Sequence, residues 1–279
     1  MTAGVDTVRE LRERTGAGIM DCKAALQASA GDMEKAIDFL RKKGMASAAK
    51  RAGREAKEGL IGIQVHGQEA VLVEVNCETD FVARTDDFKA LLSLAMQETS
   101  AQDDGALGSD KLVHRVAELS GKIGEKILVR RVKKVRGSGA FFSYTHSNQK
   151  LGVVIEIVAA KADSLKNASF QELGKNLAMQ VAASNPLCLT RQEVPAASIE
   201  REKAIYREEV KGKPENIIEK ILSGKLDKFY QANCLLEQPF IKDDKQSVKS
   251  LVEQVSKQIG DTVQIKQFVR FQLGETVAG

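Results

Sequence analysis

At 279 residues the chain is long enough for about two domains, and 43% hydrophobic with 29% charged residues is the balance of a soluble globular protein. A net charge of +4, left by 42 Lys and Arg against 38 Asp and Glu, is too small and too evenly spread for a dedicated nucleic-acid binder.

The first stretch predicts three short helices. Asp6 or Thr7 caps a helix carrying Val8 and Leu11, which stops at Thr15-Gly16-Ala17-Gly18. A second has Cys22, Ala25 and Leu26 on one face. A third starts near Asp32, repeats Met33, Ala36, Ile37 and Leu40, and ends at Gly44. Met45 to Glu58, rich in Ala, Lys and Arg, reads as a linker with helical character. Residues 1–54 therefore form a small head and linker, residues 55–138 a first core unit and residues 139–279 a second.

The first unit opens with a hairpin, Leu60 to Val65 and Ala70 to Asn76, around His66-Gly67-Gln68. A helix follows from about Thr85, with Phe88, Leu91, Leu92, Ala95 and Met96 at helical period, and another runs through Leu112, Val116, Leu119 and Ile123. A strand then carries Ile127, Val129, Arg131 and Lys133. The plan recurs: Phe141 to Thr145 and Val153 to Ala160 form a second hairpin, followed by a helix near Leu173 to Ala183. Residues 252–261 align with residues 116–125, sharing Ser, Ile and Gly in register and a closing acid (Glu125 or Asp261), and both segments lead into a strand, the second holding Val263, Ile265, Phe268, Val269 and Phe271. The fold class is thus α+β, with a duplicated core of antiparallel sheets. The second copy is longer by about 56 residues. A helical hairpin within residues 187–230 supplies the excess: Ile199, Lys203 and Tyr206 lie on one helix, Gly212-Lys213-Pro214 makes the turn, and Ile217, Ile218, Ile221 and Leu222 lie on the next.

Catalytic chemistry is absent from the pattern. Only His66, His114 and His146 exist, no Ser-His-acid grouping or nucleophile elbow is visible, and Thr15-Gly16-Ala17-Gly18 lacks the Gly-Lys-Ser/Thr of a phosphate loop. Cys22, Cys77, Cys188 and Cys234 are widely spaced, so neither a disulfide framework nor a metal site is expected. No apolar run approaches the ~20 residues of a membrane span, and the N-terminus lacks the layout of a signal peptide. The expectation is a cytoplasmic protein that is not an enzyme, carries no cofactor and contacts no membrane. The basic run from Arg130 to Arg136 reads as a solvated sheet edge, because no aromatics interleave to stack bases. The one segment out of keeping with a purely structural role is Cys77 to Arg84, between a strand and a helix. Phe81 beside Asp80 is either tucked against its own domain or a wedge for an apolar cleft of a partner, with Asp80 disturbing charges there.

Leu11-Arg12-Glu13-Arg14-Thr15-Gly16-Ala17-Gly18-Ile19-Met20-Asp21-Cys22-Lys23-Ala24-Ala25-Leu26 and Glu74-Val75-Asn76-Cys77-Glu78-Thr79-Asp80-Phe81-Val82-Ala83 resemble the two signatures of the elongation factor Ts family, and the resemblance covers essentially the whole chain. It implies a head resembling a ubiquitin-associated domain that docks on elongation factor Tu through Arg12, Ile19, Met20 and Lys23. It further implies that Thr79, Asp80, Phe81 and Val82 intrude near the partner's magnesium and dislodge it, and that His146, within Tyr144-Thr145-His146, touches another domain of the partner. The expected activity is guanine nucleotide exchange in translation, on the GDP-bound and nucleotide-free forms of elongation factor Tu. The helical hairpin resembles the family's dimerisation module, which leaves room for a homodimer or heterotetramer. Direct nucleic-acid contact is not expected. General adaptor and RNA-binding roles are the competing readings.

Overall fold

Leu11, Cys22, Ala25, Leu26 and Ala36 close a small core between three N-terminal helices, α1 (Val5–Thr15), α2 (Ile19–Ala28) and α3 (Met33–Arg51). The computed structural model describes residues 4–102, 109–212 and 214–276. Gly16 ends α1 in the left-handed region that glycine adopts without a steric penalty, and the Asp32 carboxylate caps α3 by accepting from the Lys35 amide. Helix α3 does not stop at Gly44 as expected but continues to Arg51. The glycine serves a close approach instead: a Cβ there would lie 3.4 Å from the Ala117 carbonyl oxygen of α6 (Asp110–Ile123), and Gly121 of α6 lies against the Gly44 Cα. An Arg41–Glu118 ion pair and an Arg51–Ser120 hydrogen bond join the same two helices.

The first core unit is an antiparallel sheet of β1 (Glu58–His66), β2 (Glu69–Cys77) and β3 (Leu128–Arg136), with β2 central. The second repeats it with β4 (Ala140–Thr145), β5 (Leu151–Ala159) and β8 (Val263–Gln272), with β5 central. Each ladder slips by one residue at the same point, after Glu74 in β2 and after Glu156 in β5. Alternation then sorts the side chains. Val71, Val73 and Val75 face α5 (Asp86–Ala101) and α6, while Val153, Ile155 and Ile157 face α7 (Ala168–Ser184) and α10 (Val248–Ile259). The opposite faces of the two sheets meet through Ile61, Leu72, Phe141, Val154 and Phe271. The core is a helix–sheet–sheet–helix sandwich.

Glu74 and Glu156 both point into the layer between the sheets and are buried. Glu74 accepts from Arg130 at 2.9 Å, Arg131 at 2.6 Å and the Gly274 amide at 3.1 Å. Burial opposes its charge, but the Gly274 amide and the two guanidinium groups outweigh that and hold its carboxyl below the usual range. Glu156 instead accepts from the Ser138 and Gly139 amides and from the Gln267 side chain. The basic run on β3 is therefore not the solvated edge expected. Arg131 and Lys134 are largely buried, Lys134 donates to the Ser100 carbonyl, and Arg136 pairs with Glu69. An alternating basic pattern reads as exposed until a buried carboxylate on the neighbouring strand claims its charges.

Between α7 and α10 the chain forms two further helices, α8 (Ala196–Glu209) and α9 (Glu215–Asn233), and a small hairpin, β6 (Pro239–Phe240) with β7 (Asp243–Ser247), which the sequence pattern did not announce. Lys213 of the expected Gly212-Lys213-Pro214 turn lies outside the described residues. No helix among the described residues is long and apolar enough to cross a membrane.

Candidate functional site

The chain turns sharply after β2, and a single carboxylate fixes the turn. Glu125 follows Gly124, whose left-handed backbone ends α6. Its Oε2 accepts from the Glu78 amide at 3.1 Å and the Thr79 amide at 3.0 Å, and its Oε1 accepts from the Thr79 hydroxyl at 2.7 Å. Glu78 in turn accepts from the Lys126 amide at 2.6 Å and from Arg54 at 3.1 Å. These bonds, the Lys126 amide foremost, lower its pKa. Lys126 reaches the Ala52 and Arg54 carbonyls, so the segment after α3 is tied to the same corner.

Thr79 to Val82, expected as a connecting stretch, contains one helical turn, α4 (Asp80–Ala83). Thr79 caps it by accepting from the Val82 amide, and Thr85 ends it by donating to the Val82 carbonyl while capping α5. Two threonine caps six residues apart in sequence leave room for only that turn. Val82 and Ala83 face inward and are buried, while Phe81 points outward and is 78% exposed. Burying such a ring would stabilise the fold by about 1.5–3 kcal/mol, a gain this corner forgoes. Asp80 lies beside it, paired with Arg84 at 2.8 Å.

The β4–β5 connection approaches the same place. The Gln149 carbonyl accepts from the Ile61 amide of β1 at 2.7 Å, and Lys150 pairs with Glu58. A cleft of 300 Å³ results, with Asp80, Ala83 and Arg84 on one wall and Ser147 to Lys150 on the other. His146, the exposed residue before Ser147, does not line the cleft, and its Nδ1 lies 3.0 Å from the Tyr144 hydroxyl. The structure thus brings Asp80 beside the turn that carries His146. Arg12, Ile19, Met20 and Lys23 are elsewhere, on α1 and α2. All four are exposed, with Ile19 54% and Met20 74% open to solvent, while Leu11 and Cys22 on the same helices are buried. None of the four lines the cleft.

Sequence reasoning missed Glu125, Arg54 and Lys126. A signal existed for the first: an acid directly after the glycine that ends a helix recurs as Asp261 in the second copy. No group of three or more His, Cys, Asp or Glu side chains placed to hold a metal ion occurs among the described residues.

The sequence profile of the family described as Elongation factor TS matches residues 78–275. Among curated relatives, elongation factor Ts of Nitratidesulfovibrio vulgaris strain DP4 is 44% identical over 284 residues, covering 100% of this chain and 98% of the relative. That of Prosthecochloris aestuarii is also 44% identical, covering 96% and 97%, and that of Lawsonia intracellularis is 43% identical, covering 99% and 100%.

Proposed function

The chain belongs to the elongation factor Ts family, the nucleotide exchange factors of elongation factor Tu, and from that premise we propose that α4 is the element that drives exchange. One observation carries the reading: Phe81 is held out to solvent by a turn whose neighbours Val82 and Ala83 are buried and whose backbone is fixed by Glu125. An aromatic ring presented on a rigid support loses little entropy on entering a partner's apolar cleft, which is the chemistry of an interface hot spot. Asp80, adjacent to it, carries negative charge toward the partner's magnesium and phosphate groups. Arg12, Ile19, Met20 and Lys23 anchor the head on the GTPase domain, and His146 contacts another domain.

The energetics need no covalent step. Tight nucleotide binding rests on backbone donors, a lysine and magnesium acting together on the phosphates. A factor that binds the empty state more tightly than the GDP-bound state shifts the population toward release. Linkage requires that nucleotide weaken the factor's binding by the same ratio, so exchange runs in both directions. The α8–α9 helices are the proposed dimerisation element. The test is release of labelled GDP from elongation factor Tu into excess unlabelled nucleotide. Wild type should accelerate release at substoichiometric amounts. Phe81→Ala should lower the exchange rate constant about 100-fold, equivalent to about 2.7 kcal/mol of lost interaction, with unchanged thermal stability. Full exchange by a folded Phe81→Ala protein would refute the wedge.

A further inference from the structure

The four cysteines are not equivalent. Cys22 and Cys77 are buried in separate cores, the first among the N-terminal helices and the second at the end of β2. Cys188 and Cys234 face each other where the α8–α9 arm joins the core, one just before the arm and the other as its last cap residue. Their Sγ atoms are 3.8 Å apart. The two backbones run side by side as a parallel bridge: the Leu187 amide donates to the Asn233 carbonyl at 2.8 Å, and the Leu235 amide donates to the Cys188 carbonyl at 2.9 Å. Backbones paired in this way lie about 4.8 Å apart, inside the Cα window of about 4.4–6.8 Å that a disulfide requires.

We infer that Cys188 and Cys234 are a built dithiol that closes to an intramolecular disulfide by exchange with a low-molecular-weight disulfide such as oxidised glutathione, fastening the root of the α8–α9 arm. Cys188 is half-buried and Cys234 fully buried, so attack begins at Cys188. Its thiolate displaces one thiolate from the oxidised compound and forms a mixed disulfide. The Cys234 thiolate then attacks the Cys188 sulfur and expels the second. Two protons leave the protein and two electrons reduce the oxidant, so the step balances. Closure brings the sulfurs from 3.8 Å to about 2.05 Å, and Cys188 gives up its contact with the Thr190 carbonyl. Burial pushes both thiols up, Cys234 to about 12, so closure is slow at neutral pH and quickens in alkali. In a reducing compartment the pair stays open. Oxidation would join the two ends of the segment between residues 188 and 234 and restrict its opening.

The reduced full-length protein, incubated with graded oxidised and reduced glutathione at mildly alkaline pH, tests this. Two of the four thiols should disappear together, and the intact mass should fall by two hydrogens with no glutathione retained. Peptide mapping should join the segments holding Cys188 and Cys234. A Cys22→Ala/Cys77→Ala variant should lose both of its thiols under the same conditions, and Cys188→Ser should retain all its remaining thiols. Protease cleavage within the arm should slow about tenfold on oxidation and recover on reduction. Retention of all four thiols, a stable glutathione adduct at Cys188, or a link between two chains would overturn the proposal. Closure without slower cleavage would refute the fastening of the arm.

Discussion

The corner after β2 and the corner after β5 are built alike and used differently. In each, a helix ends on a left-handed glycine (Gly124 or Gly260), and the acid that follows accepts backbone amides from the segment leaving the central strand. Glu125 holds the Glu78 and Thr79 amides, while Asp261 holds the Lys161 amide at 2.8 Å. A cation also reaches each glycine carbonyl, Arg54 in the first corner and Lys161 in the second. The segments then diverge. The second makes a 3₁₀ turn, Ala162–Lys166, whose Leu165 packs inward on the core, whereas the first makes α4 and turns Phe81 out. One scaffold therefore supports an ordinary corner, with its apolar side chain partly buried against the core. Exposure of Phe81 is not forced by the fold, because the duplicate does without it.

The buried glutamates sharpen the contrast most. Glu74 is balanced by two guanidinium groups, and Glu156 by neutral donors alone. Glu74→Gln should leave the partly buried Arg130 without its carboxylate and Arg131 with Glu275 alone, and cost about 3 kcal/mol in urea unfolding. Glu156→Gln keeps an acceptor oxygen for the two amides and should cost about 1 kcal/mol. Equal losses would show that the halves are stabilised alike.

At the corner itself, Glu125→Ala removes the acceptor of two amides and a hydroxyl. It should lower exchange about tenfold, roughly 1.4 kcal/mol, by loosening the support of Phe81 while leaving the ring present. Glu125→Gln, retaining one acceptor oxygen, should recover part of the rate in the same GDP-release measurement. Unchanged exchange in the alanine variant would detach Phe81 from its support and break the argument.

Much of this was legible in the residues. The hairpins, the amphipathic helices and the duplication follow from periods of 2 and 3.6 and from aligned Ser, Ile and Gly positions. What was not legible depended on contacts distant in sequence. Gly44 has the look of a helix stop, and only the approach of α6 explains why the helix runs on. Glu125 meets Thr79 across 46 residues, and no local pattern states that pairing. The arginines of β3 read as solvated because their anion is on another strand. Phe81 could be named from its setting, but its outward direction required the caps at Thr79 and Thr85 to be seen together.

Acid should separate the halves further. The Glu74 pKa is lowered in the folded protein, so its contribution is complete above the unfolded value of 4.5 and is lost as pH falls through the folded value. Stability followed by urea midpoint should therefore decline on acidification below about pH 4.5, and Glu74→Gln should flatten that decline. An equally steep acid limb in the variant would assign the slope to other carboxylates.

The smallest expected effect is the strictest test of the comparison. Asp261→Ala removes the second corner's acceptor for the Lys161 and Thr262 amides, as Glu125→Ala does for the first. If the halves shared one cooperative role in exchange, the two alanine variants would slow GDP release alike. The geometry argues otherwise: the segment held by Asp261 packs its apolar side chain, partly buried, against the core and presents no ring, so loosening it alters local packing and nothing aimed at a partner. Exchange by Asp261→Ala should remain within about twofold of wild type, the scale of a surface change away from the interface, while amide hydrogen exchange at Lys161 and Thr262 accelerates. A tenfold loss instead would mean that the second corner carries strain or contacts to the first, and that duplication of the scaffold had also duplicated its function.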